Sequence, residues 1–448
     1  MQSIDRRGVL KILGAAGLAA AGVAGASKLN VGENADIRAN ILIIGGGLGG
    51  ISLAAKLRRD MPNAELTVLD KDEYFYYQPG FTLIAAGHYL PEDITYEKSN
   101  LIPDGVKWIK QNAASIDPGA NSVKLEDGSN LNYDYLVIAS GAEYEFESVK
   151  GLSADDIGSD NVTSIYTIPG AVAMSGIMKK VGKEGGKIVF SNNKTPMKCS
   201  GANKKVTLLT EDMARNLGNR DKLDISIYSG ARTIFSAPVY AKMIEGMLEE
   251  RDVKYFTSHQ LVEVDKSANI AVFGHAMPYR ENGENKLAKE LVEVKFDYLH
   301  LVPRMKASKI YADAGLSIEK GDAAGNWISL TRETLQHSKF KNIFAIGDVC
   351  GFPAGKTGAS IRKMYPVLAQ NLADVIKGRE PSARYGGYTA CPLLTKFGKA
   401  VMVEFNWTGK PEPTIACMGA TCESYLNWAM KLYMMKPMVM QGMIRGLA

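Results

Sequence analysis

The chain has 448 residues, 46% hydrophobic and 23% charged, a core-forming globular protein too long for one ordinary domain. Its formal net charge of +5 is mild; with no long basic run it speaks against nucleic acid and allows an anionic substrate or membrane surface. Five cysteines and five histidines show no metal spacing, and an odd cysteine count fits a disulfide framework poorly.

The first element in chain order is a targeting signal. Asp5-Arg6-Arg7-Gly8-Val9-Leu10-Lys11 is a twin-arginine pattern, followed by an Ala/Gly-rich apolar stretch from Ile12 to Ala24 and small residues Ala24-Gly25-Ala26. The stretch is too short and weakly apolar to span a bilayer. Residues 1–35 are therefore read as an export signal that delivers a folded, cofactor-loaded protein to the outer face of the cytoplasmic membrane. The alternative is an amphipathic helix kept in the mature protein.

Asn40–Ile44 reads as a buried parallel strand. Gly45, Gly47 and Gly50 follow in G-x-G-x-x-G spacing, then a helix from Ile51 to Arg58. A second strand, Glu65 to Leu69, ends at Asp70, with Lys71 beside it. Strand, glycines, helix, strand and acid in this order predict an adenine-dinucleotide site: pyrophosphate on the helix N-terminus, ribose on Asp70. Tyr133–Gly141 is a strand closing on small residues, similar to the segment that carries two-dinucleotide-fold flavoproteins past FAD. Asn342–Asp348 resembles their late Gly-Asp segment, here Gly347 and Asp348, whose aspartate holds the ribityl chain. The dinucleotide is therefore expected to be FAD.

A second dinucleotide half is expected from the strands at Gly186–Phe190 and Leu223–Tyr228. Its glycine loop is missing. Residues 191–204 carry Pro196, which lacks a donor, and bulky Met197 and Lys198, while the second strand ends at Ser229-Gly230 without an acid. NAD(P)H is thus not expected as a substrate. Cys199 stands where that loop would be, and Cys350 directly follows Phe344–Val349, which holds the Gly-Asp. If the two thiols meet beside the flavin, the chemistry is sulfur redox, with Lys198, Lys204 and Lys205 lowering thiol pKa; if they do not, both are small buried hydrophobes.

Pro196–Ala202, Gly347–Cys350 and Lys356-Thr357-Gly358 resemble three segments of the sulfide:quinone oxidoreductases and the related flavoprotein of flavocytochrome c sulfide dehydrogenase. The resemblance covers nearly all of residues 38–447. It implies Cys199 and Cys350 as a redox pair, with Lys356, Thr357 and Gly358 closing over the flavin's pyrimidine end and Gly141 on the returning strand. It also implies sulfide as donor and a homo-oligomer. A third cysteine common in the family has no counterpart before Cys199; Cys391, Cys417 and Cys422 are left to take its place. The tract Tyr74–Gly80 lacks the cysteine that cytochrome-coupled relatives use to attach FAD, so the FAD is expected to be non-covalent.

After Cys422, apolar and aromatic residues recur at helical spacing until Pro437 breaks the run. Trp428, Tyr425 and Tyr433, with Lys431, Lys436 and Arg445, suit a helix lying in a membrane interface, as in the quinone-using branch of the family. Phe352 and Phe397 are candidate quinone walls. The expected architecture is α/β: an FAD domain from residues 36–150 and 325–385, a second Rossmann-like domain at 151–324, and a membrane and quinone region at 386–448. The expected function is FAD-dependent oxidation of sulfide with electrons passed to membrane quinone. The alternatives are an exported flavoprotein serving a cytochrome c and a sulfur-binding flavoprotein without enzymatic activity.

Overall fold

The fold comes from a computed structural model, which describes residues 33–159, 161–281, 284–318, 325–352, 355–415 and 419–448. The export signal therefore lies almost wholly outside the described residues, as does Cys417.

β1 (Asn40–Ile44) is an interior strand of a seven-stranded sheet, next to its central strand. It is apolar on both faces and pairs in parallel with β2 (Glu65–Leu69) and β4 (Tyr135–Ile138); β3 (Val106–Ile109) lies beyond β2. Continuous apolar runs of this kind belong to parallel sheets covered on both faces. Helix α1 (Leu48–Asp60) enters directly from the glycine turn. Gly45 sits at φ +109, and a Cβ on Gly50 would lie 1.9 Å from the Gly45 carbonyl oxygen, so neither position admits a side chain. The chain returns to this sheet much later, through β10 (Leu330–Thr331), β11 (Gln336–His337) and β12 (Ile343–Ala345), the last pairing in parallel with β4.

The intervening chain builds a second, five-stranded sheet in the order β5–β9–β6–β7–β8. These are Val162–Thr163, Tyr298–Leu301, Gly186–Asn192, Leu223–Ser229 and Lys254–Phe256. Helix α2 (Ile168–Glu184) leads into β6, α3 (Ala202–Asn216) connects β6 to β7, and α4 (Pro238–Glu250) connects β7 to β8. This is the βαβ arrangement of a second Rossmann-like half, with residues 193–201 where its phosphate loop would be.

After α5 (Gly358–Ile376), β13 (Thr389–Lys396) and β14 (Lys399–Phe405) form an antiparallel hairpin joined at its edge by β15 (Glu423–Ser424). The ladder has a bulge between Leu394 and Lys396. A helical stretch over residues 425–443 follows, with two segments wound wider than an α-helix, Met430–Met434 and Met438–Met443. No helix among the described residues is long and apolar enough to cross a membrane. Trp428, Leu432, Met443 and Ile444 of this stretch are buried in the core, whereas Tyr425, Leu426, Tyr433 and Met438 are exposed. The interfacial role expected of Trp428 and Lys431 is corrected here: both are buried, and Lys431 Nζ donates to the Pro79 carbonyl at 2.8 Å.

Candidate active site

One cavity of about 1670 Å³ runs from the Gly45–Gly50 turn, past the N-terminus of α5, to the C-terminal helical stretch. At one end Asp70 accepts from the Gly46 N–H at 2.5 Å and from Lys98 Nζ at 2.6 Å. Lys71, expected to bind cofactor, is exposed and does not line the cavity. Gly141 (φ +75) and Gly347 (φ +84) line it further in, and both need the left-handed backbone that only glycine adopts freely. Asp348 lines the same stretch. Lys356 is buried; its ammonium donates to the Asp348 and Cys350 carbonyls and sits 3.7 Å over the Trp327 ring. Burial lowers its pKa to about 8. The Thr357 hydroxyl accepts from the Ser360 N–H and so caps α5, with Gly358 in its first turn. Cradle glycines, ribose acid and a long cavity fit an extended dinucleotide along this floor.

Halfway along the cavity are two thiols. Cys199 Sγ lies 2.9 Å from Cys391 Sγ. The expected partner was Cys350, and this is corrected: Cys350 does not line the cavity. It is sealed in the core behind the Gly347–Val349 turn, with its N–H bonded to Gly347 O and Ile328 bridged alongside. Burial pushes its thiol pKa up, so Cys350 is a poor thiolate. Chain proximity to Asp348 places its backbone near the cavity, but its side chain points into the core. Cys391 arrives from β13, almost two hundred residues after Cys199, and no local motif marks it.

The surroundings make Cys199 the charged member of the pair. The Cys391 thiol is hydrogen-bonded to its sulfur, and Lys205 Nζ lies 3.3 Å away. Together these hold the Cys199 pKa well below the usual thiol range against the opposing effect of burial. Cys391 is pushed well above that range, first by its bond to Cys199 and then by burial. Of the two, Cys199 is the more acidic thiol. Cys199 also has φ +45, a conformation that costs roughly 1–3 kcal/mol for a residue with a side chain. Its N–H donates to Lys356 O and its carbonyl accepts from Ala202 N–H, fixing the turn between two domains. Tyr166 OH bonds the neighbouring Lys198 carbonyl, and Lys198 Nζ reaches Gln78 at 2.7 Å.

Two further buried lysines surround the thiols. Lys204 donates to the Ser200 carbonyl, and burial brings its pKa to about 8. Lys431 comes from the C-terminal stretch; burial first, then the Lys205 charge, brings it to about 7. Lys98 and Lys431 are site residues that the sequence did not disclose. Lys431 is signalled only by its charge in an apolar run, and Lys98, between Glu97 and Ser99, by nothing; a charged residue ordinarily reads as solvated.

The cavity also has an apolar wall, formed by Pro392, Ile415, Leu426, Met430, Met434 and Met438, with Lys431 and Glu404 lining the same cavity. Phe352 and Phe397, expected as quinone walls, do not line it. Phe352 packs against Tyr385 and Trp407, and Phe397 against His88 and Trp428.

These features define a flavoprotein oxidoreductase of the pyridine nucleotide-disulphide oxidoreductase class, and residues 39–173 match that family directly. Its intact first site is that of an FAD enzyme. The chain is 31% identical over 407 residues to the mitochondrial sulfide:quinone oxidoreductase of Dictyostelium discoideum, covering 91% of this chain and 86% of that protein. It is 30% identical to the mouse mitochondrial protein at the same coverage. The crystal structure of the Aquifex aeolicus sulfide:quinone oxidoreductase superposes with a TM-score of 0.71 at 22% identity, covering 91% of this chain and 92% of that one. The chain belongs to the sulfide:quinone oxidoreductase family.

Proposed function

We propose that this protein oxidises sulfide through the Cys199–Cys391 pair and passes the electrons by way of FAD to a quinone. The observation that carries the reading is the thiol contact of 2.9 Å, in one cavity with the dinucleotide cradle and an apolar far end. FAD, when bound, supplies a two-electron acceptor beside the thiols. Gly45, Gly47, Gly50 and Asp70 would hold its adenosine diphosphate end, and Gly347, Asp348 and Lys356 its other end.

The protein's own part starts from the oxidised pair. A hydrosulfide ion attacks one sulfur; a new S–S bond forms, the Cys199–Cys391 bond breaks, and the pair becomes a persulfide and a thiolate. A second hydrosulfide takes the outer sulfur and leaves as hydrodisulfide. The dithiol then gives up two electrons and its protons and closes again. Two hydrosulfides thus become one hydrodisulfide, one proton and two electrons. Lys205 stabilises the Cys199 thiolate at the step where it is freed. Lys431 stands between the thiols and the apolar end, and as an ammonium it supplies a proton toward the reduced quinone.

The quinone enters from a membrane surface. Tyr425, Leu426, Tyr433 and Met438 are exposed and also line the cavity, on the helical stretch that forms its apolar end, and this arrangement suits a monotopic foot in the bilayer interface. Export by the twin-arginine signal would put that foot on the outer face. The FAD is non-covalent, since Tyr74–Gly80 has no cysteine. Sulfide added anaerobically to the FAD-loaded protein should bleach the flavin, and a soluble quinone should restore its colour. An unbleached flavin, or reoxidation by cytochrome c but not by quinone, would overturn the assignment.

A further inference from the structure

The two thiols belong to structural units that meet only through tertiary packing. Cys199 leads into α3, and Lys205 in the first turn of α3 touches it. Cys391 lies on β13, and a Cβ on Gly201 would come within 2.6 Å of its sulfur. A one-residue slip of a strand moves its side chains by about 3.3 Å, more than the contact tolerates. β13 is open to such a slip, because its bulge falls at Thr395, four residues after Cys391. A bulge leaves a residue outside the ladder, with the strand free to bend.

The Thr395 carbonyl is held by a buried guanidinium. Arg251, at the C-terminus of α4, donates to it from Nη1 at 2.5 Å. The same guanidinium faces Glu211 Oε2 at 3.7 Å and Glu423 Oε1 at 3.9 Å. Glu211 is on α3 and buried; its other oxygen takes Arg215 at 2.5 Å and Arg220 at 3.2 Å. The adjacent Asp212 accepts the Phe397 N–H at 2.8 Å, just past the bulge. Glu423 begins the segment that carries Lys431. One guanidinium therefore joins the helix of Cys199, the strand of Cys391 and the segment of Lys431. Burying a charge costs stability unless it is paired; here the planar fork aims one N–H at the Thr395 carbonyl and faces two carboxylates, a fixed layout that a point-like ammonium does not reproduce.

We propose that Arg251, anchored on Glu211, is a positioning residue that sets the distance between the Cys199 and Cys391 sulfurs by pinning the bulge of β13 to α3. This rests on the reading that these thiols form the redox pair. It touches neither thiol and works through the two elements that carry them. Misplacing reacting groups by about 1 Å costs up to about a hundredfold in rate, so a loosened clamp acts first on the sulfur steps, the bond to Thr395 being direct and the Glu423 contact, at 3.9 Å, slack.

The test compares Arg251→Lys and Glu211→Gln with the natural protein as FAD-loaded holoenzymes. Equilibration of the Cys199–Cys391 pair in glutathione buffers, read by thiol alkylation, should shift toward the dithiol by about tenfold, or about 30 mV. Single-turnover bleaching by sulfide should slow by about tenfold or more, while quinone reoxidises photoreduced flavin at the natural rate. Wild-type thiol equilibria in both variants overturn the proposal, as do losses of bleaching and quinone reoxidation in equal proportion. If Arg251→Lys does not fold, Glu211→Gln, which keeps the bond to Thr395, is judged by the same two readouts. A natural protein that sulfide fails to bleach sinks the sulfide reading instead, and the glutathione equilibrium still decides the clamp.

Discussion

At the residue scale the site turns on which thiol meets Cys199. The geometry separates the candidates by substitution. Cys391→Ala should lower sulfide-dependent flavin bleaching by more than about a hundredfold, the scale on which removing one member of a catalytic unit acts. Cys350→Ala should bleach at close to the natural rate and cost about 1 kcal/mol of stability, an ordinary core truncation. Stopped-flow absorbance and denaturant unfolding check both; equal damage from the two would mean that the thiol contact is not the working pair. Lys431 gives a pH signature. Its pKa is brought to about 7, below the ordinary lysine value, so it is an ammonium below that pH and neutral above. Flavin reoxidation by quinone should therefore fall as pH rises through about 7, and Lys431→Met should be slow at every pH and lose this limb. The sign for stability is the opposite: the unfolded chain keeps this proton to higher pH, so the burial penalty is full below about 7 and fades as pH rises above it.

At the scale of elements, the glycine turn before α1 was legible from spacing alone, and the packing says what each glycine does. A methyl at Gly50 would meet the Gly45 carbonyl at 1.9 Å, whereas one at Gly47 meets nothing within 4 Å. Gly50→Ala should unfold the turn and yield protein without FAD. Gly47→Ala should fold with stability within about 0.5 kcal/mol of the natural protein, and any loss there is in FAD affinity. Calorimetry and the flavin-to-protein absorbance ratio distinguish them. The C-terminal helical stretch was read as one amphipathic element, but its two faces have different tasks. One face, with Trp428 and Leu432, is core, and the other is exposed. Pairing Tyr433→Asp with Leu426→Asp should cut co-sedimentation with anionic vesicles severalfold while sulfide bleaching is kept. Vesicle binding unchanged by the pair would place the membrane contact elsewhere.

At the scale of the molecule, the second Rossmann-like half keeps its sheet but carries a cysteine-bearing loop at the place of a phosphate loop. β6 and α3 still flank a loop, and that loop now presents Cys199 to the cavity instead of cradling a pyrophosphate. NADH should therefore leave the flavin oxidised under conditions where sulfide bleaches it within seconds; bleaching by NADH would mean that the half still binds nicotinamide. Both halves face one cavity, with donor chemistry in its middle and an apolar wall at its far end. Sulfide and quinone then need not compete for one surface, and saturating quinone should not raise the KM for sulfide in steady-state assays.

The primary structure by itself determined what local chemistry encodes: the strand–glycine–helix order of the dinucleotide site, Asp70 at its usual distance, the missing glycine loop, and Cys199 in its place. These are properties of neighbouring residues and survive in any one-dimensional reading. The partner of Cys199, the buried Lys431 near it and the real walls of the apolar end come from pieces of chain some two hundred residues away. Gly347-Asp348 drew Cys350 toward the cavity on paper because it is adjacent along the chain. The backbone turn that presents Asp348 sends the Cys350 side chain, two residues on, into the core, and the β13 hairpin brings Cys391 to Cys199. Only tertiary packing could decide between them, because a thiol's role depends on what it touches and how far it is desolvated.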